Sequence, residues 1–390
     1  MTTSAPTGGG ERRPRIALVL PGGGARSAYQ VGVLKAIAGW CRPGDSLPFS
    51  ILCGTSAGAI NAAVIGAGAG DFRRAAAELD RVWGAFRVSQ VFRSGALDML
   101  RSGLHLLLAL ASGGWLLAVP RSLFDNAPLR VLLRREIDFA QLAQATRSGA
   151  LDAITVTATG LGGGESVTFV QSAGHFEPWS RAGRRGVAAD INIDHLMASS
   201  AIPLLFATVP IGHFHFSDGA MRQAMPLAPA IHLGADRILV IGARSSHIDP
   251  PVPDKPPDIG EMFGFMLDTL FMEGLHADLE RVERTNALLD HLQNGPMPLG
   301  LRRIQTLLML PRSDPRDIAI AHRDAMPRTL RALLRILGVA GERGGRLMSY
   351  LMFEAPYTRE LIRLGEQDAG ARRDEISSFL GIDRHFGKAL

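Results

Sequence analysis

The first strong signal along the chain is a short apolar run, RIALVLP (15–21), which stops at three glycines, Gly22, Gly23 and Gly24. Rich in Ile, Val and Leu and without alternation, it predicts a buried strand that runs into a tight loop. SAYQVGVLKAIAGW (27–40) then places Val31, Leu34 and Ile37 at helical spacing, supported by Ala28 and Ala38, before the breaker stretch CRPGDSLP. The order repeats at once: FSILCG predicts a strand, TSAG a turn, and AINAAVIGAGAG a helix whose small residues allow close packing. Two such units in succession predict an α/β fold with a parallel sheet and crossover helices. Further strands are predicted at 152–160, 166–170, 212–219 and 236–243, and helices at 72–84, 126–136 and 193–201.

The pattern changes at DPPVPDKPPD (249–258), a proline-rich stretch that sets a stiff, extended break. Beyond it EMFGFMLDTLFMEGLHADLERVERTNALLDHL, PRTLRALLRILG and SYLMFEAPYTRELIRLGEQDA all read as helical. The expected organisation is a flexible tail at 1–14, an α/β domain at 15–245, a Pro-rich linker at 246–258 and a helical region at 259–390. The tail carries no apolar core of a secretory signal. No repeat of solenoid length is found.

Composition refines this. A chain of 390 residues exceeds the size at which one core stops growing, so a large domain with an appended region is expected. With 46% apolar residues, 44 glycines and 20% charged residues, the chain is of the folded α/β type. Two cysteines, Cys41 and Cys53, are too few for a disulfide framework and favour a reducing compartment, so the expected location is cytoplasmic. A net charge of +5 admits an anionic partner, nucleic acid or a phospholipid surface. Sparse aromatics, at 6%, and the lack of any nucleic-acid-binding motif count against nucleic acid.

Gly54, Ser56 and Gly58 form G-x-S-x-G between a predicted strand and helix, the pattern of a nucleophile elbow. A sharp turn there lifts the serine hydroxyl clear of the sheet, and the helix start favours an adjacent anion. An N-capping serine in a small-residue turn would read the same way. A serine needs a base. His232 follows in sequence but falls on a helix side, as a surface histidine would. Asp218 closes the predicted strand HFHFSDG, at a strand end where ligands bind in open α/β sheets, and Gly219 leaves its carboxylate approachable. Gly22, Gly23 and Gly24 could turn their N–H groups into a nest for an oxyanion, with Arg26 adding positive charge toward an oxyanion or a lipid phosphate. Nucleotide binding is the competing use of such a loop, but neither G-x-G-x-x-G nor a Lys-Ser/Thr pair is completed.

Taken together, GGGARS (22–27), GTSAG (54–58) and DGA (218–220) resemble the glycine-rich loop, serine elbow and catalytic aspartate motif of the patatin-like phospholipases. The likeness continues through SLFDNAPLRVLL (122–133), ASSAIPLLF (198–206) and PLAPAIHLGADRILVI (226–241), and so spans roughly residues 15 to 245. SYLMFEAPYTRELIRLGEQDA resembles the tail of bacterial members. Ser27 departs from the family, which usually has glycine after the loop's arginine. The resemblance implies a three-layer α/β/α fold and a Ser56–Asp218 dyad without histidine. It also implies an oxyanion hole at Gly22 to Gly24 and hydrolysis of lipid acyl esters with no metal or cofactor. Two alternatives stand beside it, a catalytically silent lipid-binding or scaffold protein on the same fold and a nucleotide-binding protein.

Lipid or phospholipid is the expected partner, with peripheral membrane contact. LHLLLALASGGWLLAV (104–119) is too short and glycine-interrupted for a bilayer span and suits either a buried hairpin or a docking segment or lid. In PRTLRALLRILG, Leu330, Leu333, Leu334 and Leu337 share one face and Arg328, Arg331 and Arg335 another, which fits a solvated face or an anionic surface. Met262, Phe263, Met266, Leu267, Leu270 and Phe271 form an apolar stripe suited to domain packing, a dimer face or an acyl channel. His213 and His215 share a strand side without a third ligand, so no metal site is expected.

Overall fold

The computed structural model describes residues 14–93, 95, 122–245, 256, 258–291, 301–336, 339 and 344–382. The 104–119 segment and most of the tail and the Pro-rich linker lie outside the described residues.

The first apolar run is β1 (Ile16–Leu20), followed by a 3-10 turn (Gly24–Ser27) and α1 (Ala28–Trp40). The second unit is β2 (Ile51–Thr55) with α2 (Ala57–Ala67). Then come α3 (Phe72–Gly84), α4 (Val88–Val91), α5 (Ala127–Glu136) and α6 (Phe139–Arg147). Strands β3 (Ala153–Gly160), β4 (Glu165–Ser172), β5 (Trp179–Arg181) and β6 (Arg184–Ala188) precede α7 (Ile193–Ser199). After β7 (Val209–Ile211), β8 (Phe214–Asp218), α8 (Ala228–His232) and β9 (Arg237–Ile241) comes the long α9 (Ile259–His291). The chain continues through β10 (Gln305–Met309), α10 (Pro315–Ala321), α11 (Arg328–Ile336), α12 (Gly345–Leu351), α13 (Ala355–Ala371) and α14 (Arg373–Leu380).

The described strands form one sheet in the order β10-β9-β1-β2-β3-β4-β6-β5, with β8 on β3 and β7 on β8. From β10 to β3 all neighbours are parallel. Alternation along β1 explains how both faces are covered. Ile16, Leu18 and Leu20 enter one apolar cluster with α1, α2 and α3, while Ala17 and Val19 enter a second with Leu275, Leu279 and Val282 of α9.

The helical region expected at 259–390 differs in one respect. It contributes β10, which pairs in parallel with β9 at Leu307↔Leu239, so it shares the sheet of the preceding domain. It also supplies α13, which packs on α1 with backbones in close approach. A Cβ on Gly32 would lie 1.9 Å from the Ile362 carbonyl oxygen, and one on Gly365 2.3 Å from that of Tyr29. The leucine face of α11 is turned inward at Leu330 and Leu334, Arg331 pairs with Asp324 at 2.5 Å, and Arg335 is exposed. The stripe on α9 divides: Leu267 and Phe271 are buried, Met262 and Met266 exposed.

Candidate active site

The register of β3 brings the site together. Its residues 153–157 pair with parallel β2, ending at Thr55↔Thr157, and 158–160 pair with antiparallel β8, beginning at Ala158↔Asp218. Two strands therefore meet head to head along one edge of β3, and the residues at their tips become neighbours. Ser56 Oγ donates to Asp218 Oδ2 at 2.6 Å, although 162 positions separate the two in sequence.

Ser56 sits at φ 54 and ψ −129, a backbone region that non-glycine residues rarely occupy. The turn is held by close packing of its glycines: a Cβ on Gly54 would fall 2.3 Å from Ala59 Cα, and one on Gly58 2.0 Å from the Leu20 carbonyl oxygen. The Ser56 N–H donates to Ser199 Oγ at 2.8 Å, and Ser199 Oγ donates in turn to the Thr157 carbonyl at 2.6 Å. α2 starts at the next residue, so its N-terminal dipole is directed at the serine.

Asp218 is 1% exposed. Burial pushes its carboxyl up to about 7, against the lowering effect of hydrogen bonds from Ser56 and the Ala220 N–H. The Ala220 N–H donates to Oδ1 at 2.9 Å, which leaves Oδ2 to the serine. Thr159 Oγ1 donates to the Asp218 carbonyl at 2.8 Å and fixes the strand end.

The glycine loop lies against the serine: a Cβ on Gly22 would come within 2.9 Å of Ser56 Cβ. Gly24 adopts φ +53 and lines the same cavity as Ser56. A buried polar chain secures the loop's start, Trp83 Nε1 donating to Asn61 Oδ1, Asn61 Nδ2 to Gln30 Oε1, and Gln30 Nε2 to the Pro21 carbonyl, all at 2.8 to 2.9 Å.

Arg26 corrects an expectation. Its guanidinium is 1% exposed and donates to Asp268, Ser349 and the Arg346 carbonyl, so its charge is committed to the C-terminal helices and not offered to an oxyanion or phosphate. His232, at the end of α8, stacks on Trp179 with ring centroids 4.4 Å apart. Ser199, Gln30, Asn61 and Asp268 were not singled out by sequence. Only Ser199 carried a signal, its place in ASSAIP.

From Ser56 an apolar cavity runs between α2, α3 and α5. Ile60 and Val64 of α2, Trp83, Phe86, Leu129 and Leu133 line it. The arrangement offers a serine hydroxyl bonded to a buried carboxyl group, a glycine loop beside it, and an apolar slot leading away.

Among curated proteins none matches the sequence. Among solved structures, VipD from Legionella pneumophila aligns over 90% of this chain and 67% of its own, at 12% identity and a TM-score of 0.34. The patatin-like phospholipase family model matches residues 18–231, more than half the chain and inclusive of Ser56 and Asp218. By that match the chain belongs to the patatin-like phospholipase family.

Proposed function

We propose that the protein is a serine acyl hydrolase that cleaves fatty-acyl esters of lipids or phospholipids through a Ser56–Asp218 dyad and an acyl-enzyme. The observation that carries this reading is the 2.6 Å hydrogen bond from Ser56 Oγ to Asp218 Oδ2 at the head of an apolar cavity. Family membership supports a lipid substrate.

Ser56 Oγ attacks the ester carbonyl carbon while its proton passes to Asp218 Oδ2. The negative oxygen of the tetrahedral intermediate is held by N–H groups of the Gly22 to Gly24 loop. Collapse breaks the bond to the leaving alcohol, which takes the proton from Asp218 and departs. Water then gives a proton to Asp218 as it attacks the acyl-enzyme, and the fatty acid leaves as the proton returns to Ser56. Such substrates sit in lipid aggregates, so peripheral contact with a membrane surface accompanies the reading.

The test is release of p-nitrophenol from acyl esters of several chain lengths by the unaltered protein, Ser56→Ala and Asp218→Asn. Both substitutions should abolish turnover with the circular dichroism spectrum unchanged. An inert unaltered protein, even with phospholipid vesicles added, would sink the proposal in favour of lipid binding without turnover.

A further inference from the structure

The glycine loop is gripped by residues that lie beyond the segment matching the family. Gly22 sits under the Phe271 ring, where a Cβ would meet Cε1 at 2.3 Å, and Gly24 abuts the Tyr350 carbonyl oxygen at 2.5 Å on the same measure. Two residues beyond Gly24, Arg26 is fixed at three points. Nη1 donates to Asp268 Oδ1 at 2.8 Å, Nε to Ser349 Oγ at 2.8 Å and Nη2 to the Arg346 carbonyl at 3.1 Å. The guanidinium lies 3.8 Å from the Tyr350 ring centroid, and Tyr350 Oη donates at 2.8 Å to the same Asp268 oxygen.

A pair buried to 1% and 2% exposure is a weak source of net stability, because desolvation of both charges offsets their attraction, and apolar side chains would pack the space as well. Its distinctive contribution is direction. The planar fork fixes the 3-10 turn that directly follows Gly22 and Gly23, and oxyanion donors act only when held close to the right geometry.

We propose that Asp268 is a positioning residue which, through Arg26, sets the Gly22 to Gly24 amides toward the oxyanion formed at Ser56. The family-matching segment is then incomplete as a site without α9 and α12. The inference rests on the acyl-hydrolase reading.

The experiment uses the full chain with Asp268→Asn, and with Arg26→Met plus Asp268→Leu, which removes both charges and keeps the apolar bulk. Turnover of a p-nitrophenyl ester, thermal midpoint, and hydrogen exchange of peptides covering 21–27 and 51–67 are measured. Asp268→Asn should lose at least about tenfold in kcat with KM within about twofold, as expected for loss of a contact that matters in the transition state. Exchange at 21–27 should quicken while that at 51–67 holds. The double variant should regain the thermal midpoint without regaining kcat. Recovery of kcat in step with the midpoint would reduce the pair to a packing role and overturn the proposal. Should the unaltered protein fail to turn over esters, the hydrolase reading falls and exchange decides alone: faster exchange at 21–27 upholds Asp268 as the residue that positions the glycine loop, and unchanged exchange in both variants overturns it.

Discussion

Ser199 holds the backbone of Ser56: its hydroxyl accepts a hydrogen bond from the Ser56 N–H at 2.8 Å and donates one to the Thr157 carbonyl at 2.6 Å. One buried side chain thus ties the strained elbow at φ 54 to the neighbouring strand. Ser199→Ala should cost about 1–3 kcal/mol in urea unfolding, the usual result of leaving a buried polar group unpaired. It should also lower kcat by about tenfold or more as the serine drifts from its attack geometry. Unchanged kcat in a well-folded variant would show that the elbow holds its shape without this bond.

Asp218 predicts two opposite trends with pH. Its carboxyl is raised by burial from 3.8 to about 7, so the folded protein retains a proton across that window which the unfolded chain releases. The stabilisation is complete below the unfolded value and is lost as pH rises to about 7, a decline on the order of 4 kcal/mol at ~1.4 kcal/mol per pH unit. On the proposed mechanism turnover needs the carboxylate, so kcat/KM should rise with pH through about 7 as stability falls. Urea unfolding and kinetics measured from pH about 5 to about 8 would check both, and Asp218→Asn should flatten the stability slope. A rate profile without inflection near neutrality would remove Asp218 as the base.

Two glycine substitutions should differ in sign. At Gly58 a Cβ would fall 2.0 Å from the Leu20 carbonyl oxygen, so Gly58→Ala must displace α2 or β1 and should cost about 3 kcal/mol or more. At Gly39, exposed near the end of α1, nothing lies within 4 Å of the added carbon, and Gly39→Ala should gain up to about 1 kcal/mol. Thermal midpoints of the two variants read the contrast directly.

These tests rest on features that the sequence made legible to different degrees. The uniform apolar runs of β1, β2 and β9 and the G-x-S-x-G turn are local signals, so those strands and the elbow could be placed from their own residues. β10 could not: QTLLM is five residues long, lies between helical stretches, and has no periodicity that separates a buried strand from a buried helical turn. Arg26 misled for a related reason. A cation after a glycine loop suggests an anion to bind, whereas its partner Asp268 lies 242 positions away and nothing local announces it. The head-to-head meeting of β2 and β8 along β3 is likewise a matter of register, which only the assembled sheet displays.

The cavity makes a prediction about acyl length. Ser56, just before α2, and Ile60 and Val64 within it are spaced four residues apart and all line the cavity, so the helix provides one continuous wall leading from the hydroxyl. At about 1.5 Å per residue, Val64 stands roughly 12 Å beyond Ser56, within the reach of a medium-length chain and beyond that of a short one. Trp83, Phe86 and Leu133 add further apolar lining, so an extended chain there gains burial with each methylene. Val64→Trp puts an indole across this path. The ratio of kcat/KM for a dodecanoyl ester to that for a butyryl ester should then fall at least about tenfold, the scale of a few methylenes denied their apolar contact. Comparing the ratio within one variant cancels any loss of folded protein. If it does not move, the acyl chain lies outside this cavity, and the space between α2 and α5 is a packing defect unrelated to the ester.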